Sequence, residues 1–142
     1  HLLSLEILET AFLDNPDVPM QQRLQELRTL GFGIELDDFG TGHASVVSML
    51  SLNPDKIKID KQLTKDIATS QKALAILKAL VAIGRAQDVG IVLEGIETNE
   101  QLLACGDIDC DVLQGFALSA PIEASEFALL LEERSRHRVG SP

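Results

Sequence analysis

Six polar residues lie near the ends of apolar runs in this sequence, and together their types could do chemistry. Four are carboxylic acids, one is a lysine and one is a glutamine: Glu6, Asp37, Asp38, Glu94, Lys58 and Gln114. Carboxylate oxygens are the ligands that hard divalent cations such as Mg²⁺ or Mn²⁺ prefer. Two such ions sharing Asp37 could activate a water for attack on a phosphodiester. The set therefore predicts a metal-dependent hydrolytic site.

The adjacent acids Asp37 and Asp38 stand in the stretch "IELDDFGTG". At ~4 Å their mutual repulsion is roughly 4 kcal/mol in a protein-like dielectric, which a bound cation would offset. Side chains alternate along a strand, so regular geometry would send the two to opposite faces. We therefore expect the strand to end at this pair, with Gly40 and Gly42 permitting the turn.

Each of these residues also has a simpler interpretation. An Asp-Asp pair at a strand end is more often a loop start or a helix cap than a metal site. Lys58 taken singly is a paired surface lysine, and Glu94 is a solvated loop acid like Glu97. Gln114 could satisfy backbone groups. The functional prediction therefore depends on the whole set.

Five apolar segments rich in Ile, Val and Leu predict strands that are covered on both faces. They are Leu2–Leu8, Gly31–Asp38, Asp55–Asp60, Gly90–Glu97 and Asp111–Leu118. Along the third of these, Ile57 and Ile59 alternate with the charged residues Lys56, Lys58 and Asp60. Helical patterns separate the segments, which predicts a parallel α/β sheet. A closed barrel of eight such units takes about 250 residues, so we expect about five-eighths of a TIM-barrel-like fold, an incomplete parallel barrel within one domain, residues 1–142.

The helical patterns carry apolar stripes that predict which residues face the core. These residues are Leu24, Leu27 and Leu30; then Leu74, Leu77, Leu80 and Val81; and finally Phe127, Leu130 and Leu131. Thr98 to Gln101, "TNEQ", predicts a capping box that opens a further helix. Residues 132–142 predict an exposed, partly basic tail.

Composition excludes some classes of function. Acids outnumber bases 22 to 12, for a formal charge of −10, which argues against a DNA or RNA groove. The longest apolar stretch is too short to span a bilayer. Cys105 and Cys110 are isolated, which is typical of reduced thiols in a cytoplasmic protein. The sequence begins at His1, so we expect a fragment of a longer protein. A membrane anchor elsewhere in that longer protein would be compatible with these features.

Five stretches in order resemble the EAL domain, a family of bacterial cyclic di-GMP phosphodiesterases with a modified TIM-barrel fold. They are "LSLEILET", "ELDDFGTGHASVVSML", "PDKIKIDK", "VLEGIETNEQ" and "DVLQGFALSAP". The resemblance implies hydrolysis of cyclic di-GMP to linear pGpG with Mg²⁺ or Mn²⁺, in bacterial second-messenger signalling. It also implies a homodimer.

The resemblance assigns roles to individual positions. Metal ligands are implied at Glu6, Asp37 and Asp38, with Glu94 as a metal-shell residue and candidate general base. Lys58 is implied to contact the attacking water or the phosphate, and Asp38 to take part in catalysis. Implied supporting residues are Gln114, Glu97, Gly40, Thr41 and Gly42, together with Glu9, which anchors the dimer-forming loop Asp38–Leu50.

Departures from the family pattern qualify this expectation. The name-giving Glu-Ala-Leu motif and an asparagine on the next strand, both metal ligands, belong upstream of Glu6 and are not in this sequence. We therefore expect hydrolysis by this chain alone to be impaired. The alternative is a catalytically inactive module that binds cyclic di-GMP or a protein, and a third possibility is pairing of two copies through open sheet edges. Glu35 adds an acid on the same face as Asp37 and could perturb the site.

Overall fold

The computed structural model describes residues 3–8, 18–41, 49 and 52–139, and the side chains of these up to residue 132 except 18 and 19. Five strands form one parallel sheet in chain order, so neighbours in sequence are neighbours in space. The strands are β1 (Ser4–Leu8), β2 (Gly33–Phe39), β3 (Lys56–Ile59), β4 (Gly90–Leu93) and β5 (Val112–Leu113). Within the described residues β1 and β5 remain unpaired edges. The fold is an incomplete α/β barrel, as predicted.

Five helices connect or follow the strands within the described residues. They are α1 (Val18–Thr29), α2 (Lys61–Thr64), α3 (Gln71–Arg85), α4 (Asn99–Ala104) and α5 (Ala124–Val139). A 3₁₀ turn, Cys105–Asp107, continues α4. Each parallel crossover places a helix against the sheet, and the amino-terminal ends of α2 and α4 therefore lie near the carboxyl ends of β3 and β4.

The two faces of the sheet differ in chemistry, as strand alternation requires. The apolar parity is almost fully buried: Ile34, Leu36, Ile57, Ile59, Ile91 and Leu93 are each at most 1% exposed. The other parity carries Glu35 and Lys58, which are buried although charged. The predicted separation of Ile57 and Ile59 from Lys58 is confirmed. The apolar face of the sheet therefore packs in the core and stabilises the sheet, while the side chains of the charged face form ion pairs.

The helix signals in the middle of the chain are also confirmed. Thr98 and Gln101 form the predicted capping box at the start of α4. In α3, Leu77 and Val81 are buried, and Leu74 and Leu80 pack against the core. Ser70 caps α3 by accepting a hydrogen bond from the Ala73 N–H. These signals are local, so they need no knowledge of the partner surface.

Four predicted core positions, including Leu130, lie outside the core cluster of the described residues. Leu30 is 74% exposed, because α1 ends at Thr29 and Leu30 lies in the turn before Gly31, whose φ is +94°. Phe127 and Leu131 are about half exposed, at 51% and 50%. Helix α5 follows the last described strand and contributes no residue to the core cluster of the described chain. An apolar stripe predicts that a helix has an apolar side, but not which surface covers it.

The predicted strand ends also need correction. β4 stops at Leu93 and β5 at Leu113, because Gly95 and Gly115 adopt φ values of +65° and +156° that interrupt regular strand geometry. The two segments remain bonded beyond the strands, since the Ile96 N–H donates to the Gln114 carbonyl and the Ala117 N–H donates to the Ile96 carbonyl. β2, in contrast, continues through Asp37 and Asp38 to Phe39.

Both cysteines are free thiols, with Cys105 buried and Cys110 half-buried. Burial raises the pKa of Cys105 to about 11, so this thiol is protonated at neutral pH. In the described part of the chain, no helix is both long and apolar enough to cross a membrane.

Candidate active site

The Asp37-Asp38 pair lies in a β-bulge, not at a strand end. Leu36 pairs with Ile57 and Phe39 pairs with Ile59, so two residues of β2 stand opposite the single residue Lys58 of β3. Asp38 has a φ of +57°, the left-handed conformation that accompanies such an extra residue. The expectation that the strand ends at the pair is therefore wrong. The bulge breaks strict alternation, which lets both carboxylates approach one site.

Lys58, in β3, brings together three carboxylates that come from β1, from β2 and from the residue just after β4. Its Nζ lies 2.9 Å from Glu6 Oε1, 3.0 Å from Asp37 Oδ1 and 2.8 Å from Glu94 Oε1. The lysine side chain is only 6% exposed. Burial by itself would lower the pKa of Lys58, but its close contacts with the carboxylates of Glu94, Glu6 and Asp37 outweigh that effect and raise it. Lys58 therefore stays charged and holds the cluster together.

Asp37, Asp38 and Glu94 form a second, overlapping arrangement. One oxygen from each lies within 4.8 Å of the others, close enough for the three to share a cation. Desolvation and repulsion from Asp37 and Asp60 raise the pKa of Asp38. Such a shift indicates unfavourable crowding of negative charge, which a divalent cation would relieve.

Sequence reasoning left Asp60 out of the candidate set, and the structure places it beside Asp38. Asp60 is 7% exposed, and its nearby negative charge helps to raise the pKa of Asp38. Its Oδ1 also accepts from the Gln62 N–H, which caps α2. The signal that could have identified it is parity, since Asp60 follows Lys58 on the same face at the carboxyl end of β3.

The remaining predicted residues lie around this cluster or outside it. Gly40 and Thr41 form the turn after the bulge, where the Thr41 N–H donates to the Asp38 carbonyl at 3.3 Å. Glu97 and Gln114 are exposed, and their backbone groups bond to Gln101 and to β4. Glu9 and Gly42 lie outside the described residues, as does most of the loop Asp38–Leu50. The structure thus brings together Glu6, Asp37, Asp38, Lys58 and Glu94.

Glu35 occupies a different layer from the cluster. Its Oε1 accepts from Lys56 Nζ at 2.8 Å, and β2–β3 register pairs these two residues directly. Burial would raise the pKa of Glu35, but hydrogen bonds from Lys56 and Ser4 lower it below its ordinary value. The added acid is thus neutralised by its own lysine, Lys56.

The donor set fits a hard divalent cation. Asp37, Asp38, Glu94, Glu6 and Asp60 carry five formal negative charges, and Lys58 offsets one of them. Asp37 Oδ1 is buried and, although near Lys58 Nζ, is the only buried side-chain oxygen or nitrogen in the described residues without a hydrogen bond of good geometry. A buried oxygen without a well-formed hydrogen bond is unfavourable unless a further partner, such as a cation, binds to it.

The chain matches one protein family over most of its length. The family model described as EAL domain matches residues 1–121. The oxygen sensor protein DosP of Escherichia coli K12 is 38% identical over 126 residues, covering 89% of this chain and 16% of DosP. Cyclic di-GMP phosphodiesterase NbdA of Pseudomonas aeruginosa is 35% identical over 122 residues, covering 84% of this chain and 15% of NbdA. The chain thus spans about a sixth of the length of these relatives.

Solved structures give the same result. The PaMucR phosphodiesterase in complex with c-di-GMP superposes with a TM-score of 0.78 at 35% identity, covering 88% of this chain and 50% of that one. The manganese and cyclic di-GMP complex of Klebsiella pneumoniae BlrP1 gives 0.72 at 31% identity, covering 80% and 29%. Sequence, fold and strand-end cluster therefore agree, and this chain belongs to the EAL domain family.

Proposed function

We propose that this chain is part of a metal-dependent phosphodiesterase that hydrolyses cyclic di-GMP to linear pGpG in bacterial second-messenger signalling. The observation that carries the proposal is the convergence of Glu6, Asp37 and Glu94 on Lys58 within 3.0 Å, beside the Asp38 carboxylate. Relatives named as cyclic di-GMP phosphodiesterases support the substrate.

The chain's own residues would divide the work as follows. Glu6, Asp37, Asp38 and Glu94 would hold Mg²⁺ or Mn²⁺, and calcium and manganese complexes of BlrP1 support a divalent ion. Bound there, the ions would lower the pKa of a water and polarise the phosphoryl oxygens. Lys58, charged and donating, would orient that water or a phosphate oxygen, and Glu94 would accept a proton from the water.

We propose further that residues 1–142 are a portion of a longer barrel. Family resemblance places two more ligands, the glutamate of Glu-Ala-Leu and an asparagine, outside this sequence. Loss of ligands weakens metal binding and orientation of the water, so the chain by itself would hydrolyse slowly. A homodimer through the Asp38–Leu50 loop, in the cytoplasm, completes the proposal, and light scattering would test the dimer.

The decisive experiment measures turnover by a longer protein and by two of its variants. A longer protein in which this sequence follows the two missing ligand strands should convert cyclic di-GMP to pGpG with Mn²⁺, measured by chromatography. Asp37→Asn in that protein should reduce turnover by about 10³-fold or more, since Asp37 would be one of the residues that hold the catalytic ions. Asp107→Asn, an exposed acid in the turn before β5, is the matched control. Equal turnover in both variants would remove Asp37 from the mechanism.

A calcium titration distinguishes the alternative function. Cyclic di-GMP binding with Ca²⁺, but no product with Mn²⁺ from the longer protein, would identify an inactive binding module. Absence of both binding and turnover would contradict the proposed substrate.

A further inference from the structure

A buried polar bracket links the loop after β4 to helix α2. We define the bracket as Thr64 in α2 and Gln101 in α4, which are 0% and 6% exposed. Buried polar side chains are unfavourable unless their hydrogen bonds are made, so their partners are informative. Their bonds go to backbone groups of residues 94–98, in the loop after β4, and of residues 61–65, in and just after α2.

Thr64 contacts the candidate site most directly. Its Oγ1 donates to the carbonyl of Glu94 at 2.6 Å, with a longer contact of 3.2 Å to the carbonyl of Lys61. This bond joins the residue that contributes a carboxylate to the site with the helix that Asp60 caps. The bond therefore fixes the backbone of Glu94 relative to the end of β3, where Lys58 lies.

Gln101 uses all the bonds that its amide offers in this region. Its Oε1 accepts from the N–H groups of Glu97 and Thr98, at 2.8 and 2.9 Å. Its Nε2 donates to the carbonyls of Thr64 and Lys65, both at 3.2 Å. One side chain thus holds the loop on one side and α2 on the other.

Gly95 shows how closely the loop and α2 approach. It lies between Glu94 and Ile96 with a φ of +65°, and a Cβ there would overlap the Lys61 side chain. The loop cannot shift toward α2, and the bracket resists a shift away from it. The Glu94 carboxylate, 2.8 Å from Lys58 Nζ, is held at the end of this rigid unit.

We infer that Thr64 and Gln101 are positioning residues that set the geometry of Glu94 in the site, and so its affinity for a divalent cation. The inference deepens the proposed function and rests on it for the catalytic consequence. Neither residue touches the carboxylate cluster; they act through the backbone of residues 94–98. Partners that orient metal ligands typically change metal affinity or activity by about 10- to 100-fold.

Three variants and one control test the inference. Thr64→Val keeps the shape but removes the donor, whereas Thr64→Ser keeps the donor. Gln101→Glu keeps the acceptor for Glu97 and Thr98 but removes both donated bonds. Thr69→Val removes a hydroxyl from an exposed position whose bond goes to Asp66, and serves as the control. Thermal unfolding identifies the folded fraction of each variant.

The first measurement uses the metal-free chain, so its result does not depend on turnover. In nitrogen-labelled protein, the Lys58 ammonium resonance should be visible in the wild type, Thr64→Ser and Thr69→Val, because three carboxylates slow its exchange with water. It should broaden or vanish in Thr64→Val and Gln101→Glu. A resonance unchanged in both of these folded variants would overturn the inference.

The second measurement is Mn²⁺ binding by calorimetry. Thr64→Val and Gln101→Glu should bind roughly tenfold more weakly, with Thr64→Ser close to the wild type. In the longer protein, kcat should fall while the KM for cyclic di-GMP stays nearly constant. Wild-type affinity in both variants would contradict positioning of Glu94. A longer wild-type protein without any Mn²⁺ affinity would instead contradict the proposed function, and the ammonium measurement would still decide the role of the bracket.

Discussion

The Nζ of Lys58 lies 2.8 Å from the carboxylate of Glu94, across the pairing of β3 with β4. Lys58 is in register with Val92, so Glu94, two residues further on, lies on the same face and beyond the strand end. This diagonal relationship places the Lys58 ammonium near the carboxyl ends of the strands, where acids from β1 and β2 also converge. Burial of the apolar face of these strands forces the acids on the other face together, and the charge of Lys58 offsets their mutual repulsion.

Removal of the Lys58 charge should lower the stability of the metal-free protein and should make that stability depend more strongly on a bound cation. In Lys58→Met, the carboxylates lose their internal partner, and the free energy of unfolding in EDTA should fall by roughly 3 kcal/mol. Mn²⁺ should restore much of this stability, because the cation supplies the missing charge, while hydrolysis by the longer protein should be lost. Urea unfolding with and without Mn²⁺ measures the effect. Lys78→Met, at an exposed site of α3, is the control, and equal losses in EDTA would refute the role of Lys58.

The bulge residue Asp38 should show a conflict between stability and function. Asp38→Gly relieves a left-handed backbone strain and removes a crowded carboxylate, so metal-free stability should rise by about 1 kcal/mol. The same change removes a candidate ligand, so Mn²⁺ affinity should fall by at least roughly tenfold. Urea unfolding in EDTA and calorimetry measure the two effects. A variant that is both less stable and equally tight in Mn²⁺ binding would contradict this interpretation.

The loss of folding stability at low pH should depend in part on Asp111, which lies at the amino-terminal ends of β4 and β5, away from the carboxylate cluster. A hydrogen bond from the Ile91 N–H, at 2.6 Å, and the contact with Arg85 lower the pKa of Asp111. A lowered pKa means that this stabilisation is present above the unfolded value, about 3.9, and is lost as pH falls through the folded value.

The corresponding experiment compares Asp111→Asn with the wild type across this pH range. The variant should be less stable near neutral pH by at most about 1 kcal/mol, since Asp111 is partly exposed. The difference should shrink as pH falls below about 4. Chemical denaturation at several pH values measures it. A difference that stays constant with pH would show that Asp111 acts without its charge.

Gly115 should tolerate no side chain. A Cβ at this position would overlap the backbone of Ile96, in the loop that follows Glu94, and the φ of +156° adds strain. Gly115→Ala should therefore destabilise the fold by about 3 kcal/mol. Gly106→Ala, where no atom lies within 4 Å of the added Cβ, should be nearly neutral. Thermal and urea unfolding compare the two, and equal stability would contradict the close contact.

Much of the site could be predicted from the sequence because strand parity is a local property. Glu6, Lys58 and Glu94 follow from alternation along apolar segments, and the cluster contains them. The position of Asp38 could not be predicted, because alternation assigns it to the wrong face and only pairing with β3 creates the bulge. Asp60 was missed because it serves both as a helix cap and as a neighbour of Asp38.

The sequence by itself determined the order of strands and helices, the apolar and charged faces, and the capping box that starts α4. These depend on residues a few positions apart, whose interactions persist in any fold. Only the tertiary structure decided which acids meet around Lys58, where β2 bulges, and how Thr64 and Gln101 join separate segments. Those contacts link residues about 20 or more positions apart, and only the packing of parallel strands brings such residues within hydrogen-bond distance.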